Sequence, residues 1–579
     1  MAVWVICSAV ILVLGAVAWV GSRALMAKSE LESAIPLASA VQDQVVAGQS
    51  AEAGGSADQL VKHAVRAADL TSDPIWRAFE VIPALGQNLS AVRQLAAVVE
   101  NIATGAVAPL TEAAGSIDIE AFKPTDGAIN VQPMVDAQPS VARAASALST
   151  AQTDISAINS ANSIGQVSDA VNQLREVVDG AALSIDSVDR AVRLLPSILG
   201  VAGPRDYLVL FQNPAELRST GGISGAVALL HTDGGQISLA QQVSSAEFKH
   251  FDSPVLELPT ETRGIYGDIT GRFIQDVNLT PDFTQSAKLA QEMWRLQFGQ
   301  DVAGVLSIDP VALSYLLRAT GPITLPTGDV MSSENAVQLL LSDVYARYPD
   351  TDDQDAFFAS AAGSVFAAVA GGSADPLTLV QALARAGSEH RVLVWSADDT
   401  EQSILADTTL AGGLPISSAD TERFGLYFND ATGAKMGPFL DVQTAVGQTI
   451  CRNDRRPNYA VDVILTNTAP ADAATALPGY VTAEGNFGVP PGSVKTIVSV
   501  YGAPDMDNLG LTRDGVPVGY HPATDSGYPV SGIAIELAPG ETTTIRFNWL
   551  GGSAAKKTQE LQMTPVIHRN ETRKLEIAC

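Results

Sequence analysis

Residues 203–236 constrain the fold of this chain more than any other stretch, because three apolar runs follow one another with short separations. Tyr207–Phe211 predicts a buried strand, and Ile223–His231 and Gln236–Val243 predict two more. The last two runs are divided only by the turn residues Gly234-Gly235. The stretch therefore predicts neighbouring strands of one sheet.

A polar segment between the first two strands supplies the first candidate site residues. Its glycines, Gly221-Gly222, let another molecule approach the backbone, and polar groups at the mouth of a sheet are common in ligand sites. Together with one carboxylate at the start of the first strand, the candidates are Asp206, Asn213, Glu216, Arg218, Ser219 and Thr220.

A second polar segment spans residues 262–282, TRGIYGDITGRFIQDVNLTPD. Two arginines near carboxylates could grip a phosphate while the acids hold a divalent cation. That combination suits phosphoryl or pyrophosphoryl chemistry, which depends on positioning and charge neutralisation. The alternative is a set of structural ion pairs that fix the loop on the sheet.

These two segments and the turn at residues 429–435, NDATGAK, define the predicted site. The turn could complete the site through its lysine or simply be capped by Asp430. The predicted catalytic residues are Arg218, Arg272 and Asp276. The predicted ligand-binding residues are Asn213, Glu216, Ser219, Thr220, Asn278 and Lys435. The predicted metal ligands are Asp206 and Asp282, with Mg²⁺ or Mn²⁺ as the candidate ions. A further segment at 343–350, DVYARYPD, predicts a solvated helix terminus.

The periodicity along the chain predicts a multidomain α+β protein. Apolar residues alternate spacings of four and three from Val167 to Leu195, which indicates packed helices. Helices alternate with strands after residue 199, and strands dominate after residue 455. The predicted domains are a membrane helix at 1–22, a helical bundle or stalk at 23–198, a central α/β domain at 199–450 and a β-sandwich at 451–579.

The segment Val3–Val20 has no charged residue and carries Trp4 and Trp19 near its ends. Its length as a helix is roughly 27 Å, close to a bilayer core of about 30 Å, so it predicts an uncleaved anchor. The alternative is a cleaved signal peptide. No Lys or Arg precedes the span, whereas Arg23 and Lys28 follow it, and the positive-inside rule taken literally would place the bulk of the chain in the cytoplasm. We therefore expect the true start to lie upstream of Met1. The predicted location is the cell membrane, single-pass, with the bulk of the chain extracytoplasmic.

Charge and cysteine usage limit the partners and the compartment. The formal net charge is −28, so the average field repels nucleic acid. Apart from Cys7 in the span, the cysteines are Cys451 and Cys579, which bracket the last domain as a disulfide in an exported protein would. The alternative is two unrelated buried thiols.

Five stretches also carry a family resemblance: YLVLFQNPAELRSTGG, FIQDVNLTPDF, MWRLQFGQDVAGVLSIDPVALSYLLRATGPITLP, LLLSDVYARYPD and FNDATGAKM. On these residues the chain is identified as a member of the bacterial "domain of unknown function 4012" family, a set of membrane-anchored envelope proteins. The family label implies a location but no activity.

The order of elements in residues 205–325 resembles that of the LytR-CpsA-Psr phosphotransferases. Those proteins move glycopolymers from a polyprenyl-pyrophosphate carrier onto the bacterial wall, using arginines, acids and a divalent metal. Arg218-Ser219-Thr220 stands where that family has an Arg-containing segment, but Thr220 replaces its acid. The later segment Val243–Glu247 lacks the family's Arg and Asp. A shared fold does not establish shared catalysis.

Three functions remain open at this point. The first is a non-catalytic envelope protein that binds lipid-linked glycan and assists assembly or export of a wall or capsule polymer. The second is a divergent glycopolymer phosphotransferase acting on polyprenyl-pyrophosphate-linked polymer. The third is an envelope sensor or scaffold. The membrane and a polyprenyl-linked glycan are the predicted partners, and the sequence identifies no protein partner.

Overall fold

The computed structural model describes residues 2–46, 49–83, 85–116, 123–125, 127–552, 556–568 and 571–579. It confirms a multidomain α+β chain, which divides into two compact units. The first unit comprises Met1–Phe122 and Ile129–Ala202, and the second comprises Lys123–Ala128 and Gly203–Cys579.

The described part of the first unit is helical. A π-helical turn at Ala103–Val107 joins its fourth and fifth helices. The core is rich in alanine, with Ala144 and Ala151 beside Val171 and Val178, and such small side chains let helix axes approach closely. The helices are α1 (Ala2–Val46), α2 (Ser50–Thr71), α3 (Pro74–Phe79), α4 (Gly86–Ile102), α5 (Ala108–Ser116), α6 (Gln132–Ala157) and α7 (Gly165–Ile198).

The predicted membrane span Val3–Val20 lies inside α1. The side chains of residues 1–13 fall outside the described residues. Within the described part of the chain, no helix is long and apolar enough to cross a bilayer. The anchor is therefore not confirmed and stays a prediction.

The second unit begins with a five-stranded sheet in the order β3-β2-β1-β4-β7. β1 and β4 are parallel, whereas the other neighbours are antiparallel. Its strands are β1 (Arg205–Arg218), β2 (Gly221–Asp233), β3 (Gln236–Ser244), β4 (Gly304–Ile308) and, after the short hairpin β5 (Ile323–Thr324) and β6 (Val330–Met331), β7 (Val392–Ser396).

Helices and short turns accompany this central sheet. Leu208 and Leu210 of β1 share a buried core with Trp294 on one side of the sheet, because alternate residues of a strand face the same side. A π-helical turn at Leu339–Asp343 separates the two shortest helices. The helices are α8 (Thr260–Tyr266), α9 (Phe283–Phe298), α10 (Pro310–Thr320), α11 (Ala336–Gln338), α12 (Val344–Arg347), α13 (Thr351–Ala370), α14 (Pro376–Ser388) and α15 (Asp399–Leu405).

Two further sheets pack face to face around one core that includes Phe428, Phe547 and Trp549. Their orders are β13-β12-β16-β10-β9-β18 and β14-β15-β11-β8-β17. The elements are β8 (Thr421–Asp430), β9 (Leu440–Thr449), β10 (Asn458–Asn467), α16 (Ala473–Ala476), α17 (Gly479–Thr482), β11 (Val494–Tyr501), β12 (Asp507–Arg513), β13 (Val516–Pro517), β14 (His521–Asp525), β15 (Tyr528–Leu537), β16 (Thr542–Leu550), β17 (Thr558–Met563) and β18 (Arg573–Lys574).

Two of these strands precede the boundary that the sequence placed at residue 450. β8 pairs with β11, and β9 pairs with β10 along its whole length. Their apolar faces therefore belong to the core between the two sheets, not to the central sheet. Pairing partners such as Val498 and Phe428 are far apart in the sequence, so periodicity could not assign them to one sheet.

The predicted disulfide is confirmed. Cys451 and Cys579 are bonded, with their Cα atoms 5.5 Å apart, and they lie 128 positions apart in the sequence. Just before the second cysteine, β18 pairs in parallel with β9. The bond therefore fastens the C-terminal segment beside the start of the loop that joins β9 to β10.

Candidate functional site

A cavity of about 700 Å³ lies between the central sheet and α13. Phe211 of β1 and Gly225 of β2 line the sheet side, and Phe358 and Ala362 of α13 line the helix side. Most of the lining surface is apolar. A cavity of this size with few polar groups has the dimensions and chemistry of a small-molecule site.

A bulge in β1 turns one predicted site residue toward this cavity. Asn213 is paired with Ile223 and Leu217 with Gly222, so the three residues between Asn213 and Leu217 have no partner on β2. A bulge changes the direction in which side chains point. Pro214 is tolerated in this bulge because no hydrogen bond from its nitrogen to β2 is required. Glu216, the last residue of the bulge, lines the cavity.

Glu216 forms a buried ion pair with Lys435 at the polar end of the cavity. Both side chains are only 8% exposed. The ammonium lies 4.4 Å from the centroid of the Tyr480 ring and 5.3 Å from that of Tyr345. Burial lowers the pKa of Lys435, but Glu216 and the two tyrosines outweigh it, so the pKa lies above its ordinary value and the lysine is charged.

Asn213 completes the polar end. Its side-chain nitrogen donates to the Tyr345 hydroxyl at 2.5 Å, and its side-chain oxygen accepts from the Ala215 amide at 3.0 Å. Burial raises the pKa of Tyr345, which is neutral at pH 7. The structure therefore brings three of the predicted ligand-binding residues, Asn213, Glu216 and Lys435, to one end of one cavity.

Arg218 and Asp276, two predicted catalytic residues, are also brought together. The guanidinium Nη2 lies 3.2 Å from the Asp276 carboxylate, and Nη1 donates to the Leu217 carbonyl at 3.0 Å. Burial raises the pKa of Asp276, although the Arg218 charge opposes that shift. Neither residue lines the cavity. The pair fits the alternative of a structural ion pair between the loop and the sheet.

Arg272, the third predicted catalytic residue, makes different contacts. Its Nε donates to the Phe251 carbonyl at 2.8 Å, and its guanidinium lies 5.4 Å from the centroid of the Phe273 ring. The guanidinium is thus held at a different place from Arg218, which contacts Asp276. The two arginines therefore have no contact partner in common, and joint binding of a phosphate by them stays a prediction.

Three predicted ligand-binding residues join parts of the fold instead. The Ser219 hydroxyl donates to the Leu279 carbonyl at 2.6 Å and accepts from Asn429 at 3.0 Å. Asn278 donates to the Thr220 hydroxyl at 3.1 Å and to the Gly222 carbonyl at 2.7 Å. All three are buried, so their polar groups connect the 262–282 loop to the sheet and to β8.

The predicted metal ligands lie at opposite ends of α9. Asp206 accepts from Gln300, just beyond the C-terminus of that helix, at 2.9 Å and contacts His231 at 2.8 Å. Asp282 caps its N-terminus by accepting from the Thr284 amide at 2.9 Å. A helix of 16 residues is about 24 Å long, so the two carboxylates do not share an ion. Among the residues described, no group of three or more His, Cys, Asp or Glu is arranged to hold a metal.

A buried network that the sequence did not predict lies behind the cavity wall. Arg391 contacts Asp309 at 2.6 Å and Glu389 at 2.9 Å, and it donates to the Val566 carbonyl at 2.6 Å. Burial raises the pKa of Glu389, but hydrogen bonds from Tyr315 and the arginines outweigh it and lower the pKa to about 2. Asp309 lines the cavity and also caps α10.

Tyr345 and Tyr480 were missed for different reasons. Tyr345 stands in the 343–350 segment, whose charges predicted a solvated helix end, yet it is 3% exposed. Tyr480 belongs to the short helix α17, which no periodic pattern marks. For Tyr345, the available signal was a large aromatic residue within an otherwise charged helix end. A buried tyrosine needs a partner for its hydroxyl, and polar neighbours can supply one.

Part of the site lies in a region that matches a known family. Residues 202–345 match the model of a family described as a protein of unknown function, DUF4012. The chain carries a domain of this family. The DUF4012 domain runs from just before β1 to Tyr345, so it contains Asn213, Glu216 and Arg218 but not Lys435. The stretch FNDATGAKM at residues 428–436, on which the family resemblance was also based, lies outside the matched residues. No curated protein matches the chain.

Proposed function

We propose that this chain is a membrane-anchored, extracytoplasmic envelope protein that binds a lipid-linked glycan and assists polymer assembly or export without catalysis. The observation that carries the proposal is the cavity of about 700 Å³, with apolar walls and one polar end. The anchor is the predicted span Val3–Val20, and the confirmed disulfide is in keeping with an exported chain.

An apolar chain gains most from such a cavity. Each methylene group that leaves water contributes about 0.8 kcal/mol, and small residues such as Gly225 and Ala362 leave room for it. The polar end, with Asn213, Glu216 and Lys435, would meet the end of that chain. A polyprenyl chain, which is long and uncharged, fits this combination.

The phosphotransferase alternative has less support from the geometry. The Arg218 guanidinium is paired with Asp276, and that of Arg272 donates to the Phe251 carbonyl, so each already has a partner within the protein. The order β1-β2-β3 with a parallel β4 still resembles the LytR-CpsA-Psr arrangement, and that likeness bears on fold alone. No feature of the cavity favours the sensor alternative.

A substitution that fills the cavity tests the binding function. Ala362→Phe would place a ring in the space beside Phe358, whereas Ala367→Phe adds the same ring on the exposed side of α13. We expect Ala362→Phe to weaken binding of a purified polyprenol at least tenfold and Ala367→Phe to leave it unchanged. Native mass spectrometry and fluorescence titration would measure both. Equal affinities for the two variants would contradict the proposal.

A further inference from the structure

We propose that the cavity admits only an uncharged part of its ligand and excludes phosphate groups from its interior. The inference rests on the proposed function and names the chemistry of the bound part. On this basis the phosphate linkage of a lipid-linked glycan stays outside the cavity, and the uncharged chain lies inside it.

The charged residues of the lining are mostly acidic. Lys435 is the one basic residue among the described residues that line the cavity. Five lining residues are acidic: Glu216, Glu247, Asp309, Asp352 and Asp355. A phosphate group that entered would therefore meet mostly charge of its own sign.

The cationic side chains near the cavity already have partners within the protein. Lys435 is paired with Glu216 and flanked by two tyrosine rings. Arg391, behind the wall, is bonded to Asp309, Glu389 and the Val566 carbonyl. A phosphate that recruited Lys435 would have to share its ammonium with Glu216, whose carboxylate would repel the phosphate.

The polar end instead offers groups that suit a neutral oxygen. The Tyr345 hydroxyl accepts from Asn213, so its own hydrogen remains available to donate. The Tyr480 hydroxyl has no hydrogen-bond partner in the part of the chain that the structure describes, and this residue is 43% exposed. A hydroxyl or ether oxygen between these two groups would be satisfied without any change of charge.

The outer wall strengthens the discrimination. Glu247 and Asp352 are exposed and Asp355 is half-buried, and all three line the cavity. We call these three residues the acidic rim. At physiological ionic strength, charges within about 8 Å of a passing phosphate still act on it. Repulsion by the rim is therefore expected to depend on salt.

The test compares the affinity of the full chain for a polyprenol with its affinity for the monophosphate of the same polyprenol. Both are measured in one detergent at about 0.15 M salt, where the screening length is about 8 Å. We expect the alcohol to bind about tenfold more tightly. Neutralising the rim with Glu247→Gln, Asp352→Asn and Asp355→Asn should raise the affinity for the phosphate several-fold and leave that for the alcohol unchanged.

A matched control removes three exposed carboxylates away from the cavity: Asp399→Asn, Asp407→Asn and Asp420→Asn. It changes the net charge equally and should not alter the preference. Equal or tighter binding of the monophosphate to the unmodified chain would overturn this inference and leave the proposed function standing. Binding of neither lipid would overturn both.

Discussion

At the scale of single residues, the site depends on an ion pair whose members are 219 positions apart, Glu216 and Lys435. Removing two charges from water is costly, and their attraction offsets that cost only while both are present. The tyrosine rings beside the lysine add a further favourable contact. The pair therefore ties the β1 bulge to the turn after β8.

Replacing Lys435 by Met should lower the free energy of unfolding by about 3–5 kcal/mol, because Glu216 stays buried without a partner. The double variant Glu216→Gln/Lys435→Met should recover part of that loss. Because the pKa of Lys435 is raised in the folded state, its charge contributes fully to the free energy of unfolding below the ordinary lysine pKa. That contribution is lost as the pH rises through the folded-state pKa. Urea denaturation at pH 7 measures each variant.

Lys495 provides the control for that measurement. Its ammonium lies 3.8 Å from Glu536, and the two side chains are 34% and 46% exposed. Lys495→Met should therefore cost at most about 1 kcal/mol. Equal losses for the Lys435 and Lys495 variants would contradict the importance assigned to the buried pair.

At the scale of elements, the bulge in β1 determines which residues reach the cavity. Its geometry requires a close approach of Gly222, where a Cβ atom would overlap the Asn213 carbonyl and the Pro214 nitrogen. A Cβ atom added to Gly225, three residues later in β2, would have no heavy atom within 4 Å beyond its chain neighbours. The two glycines of one strand thus face different constraints.

Gly222→Ala should destabilise the chain by about 2–3 kcal/mol, because the added methyl group forces the backbone of the bulge to move. Gly225→Ala should change the stability by less than about 0.5 kcal/mol. Thermal unfolding followed by circular dichroism would compare them. A silent Gly222→Ala variant would show that the bulge adapts and would contradict the tight approach.

At the scale of the whole second unit, the C-terminal residues are fastened to the two packed sheets. The Cys451–Cys579 bond closes a loop of more than a hundred residues, and the Thr564 hydroxyl donates to the Ser219 carbonyl at 2.8 Å. The last strands therefore contact both the packed sheets and the segment that follows β1. Long loops lose the most chain entropy when they are closed.

The double variant Cys451→Ser/Cys579→Ser should lower the free energy of unfolding by up to about 5 kcal/mol in the chain-entropy model. Urea titrations with and without reductant would measure the loss. The variant should be insensitive to reductant, whereas the unmodified chain should lose a similar amount when reduced. An unchanged midpoint on reduction would contradict a stabilising role for the bond.

Much of the local structure of this protein could be predicted from its residue pattern. The strand predicted at Gln236–Val243 ends one residue later in the structure, and the strand predicted at Ile223–His231 lies inside β2. Alternation and helical spacing report directly on which side of an element is buried, so such elements were predictable. The disulfide was predictable because only two cysteines lie outside the predicted span.

The grouping of polar residues into one site, in contrast, depends on long-range packing. Glu216, Arg218 and Ser219 are near neighbours in the sequence but have different partners. Arg218 forms an ion pair with Asp276, and Glu216 forms one with Lys435. Ser219 donates a hydrogen bond to the Leu279 carbonyl. The bulge after Asn213 breaks the alternation of sides, so the direction of each side chain could not be inferred from spacing. Whether a polar side chain faces a cavity or joins two loops depends on contacts between distant segments, which local periodicity does not encode.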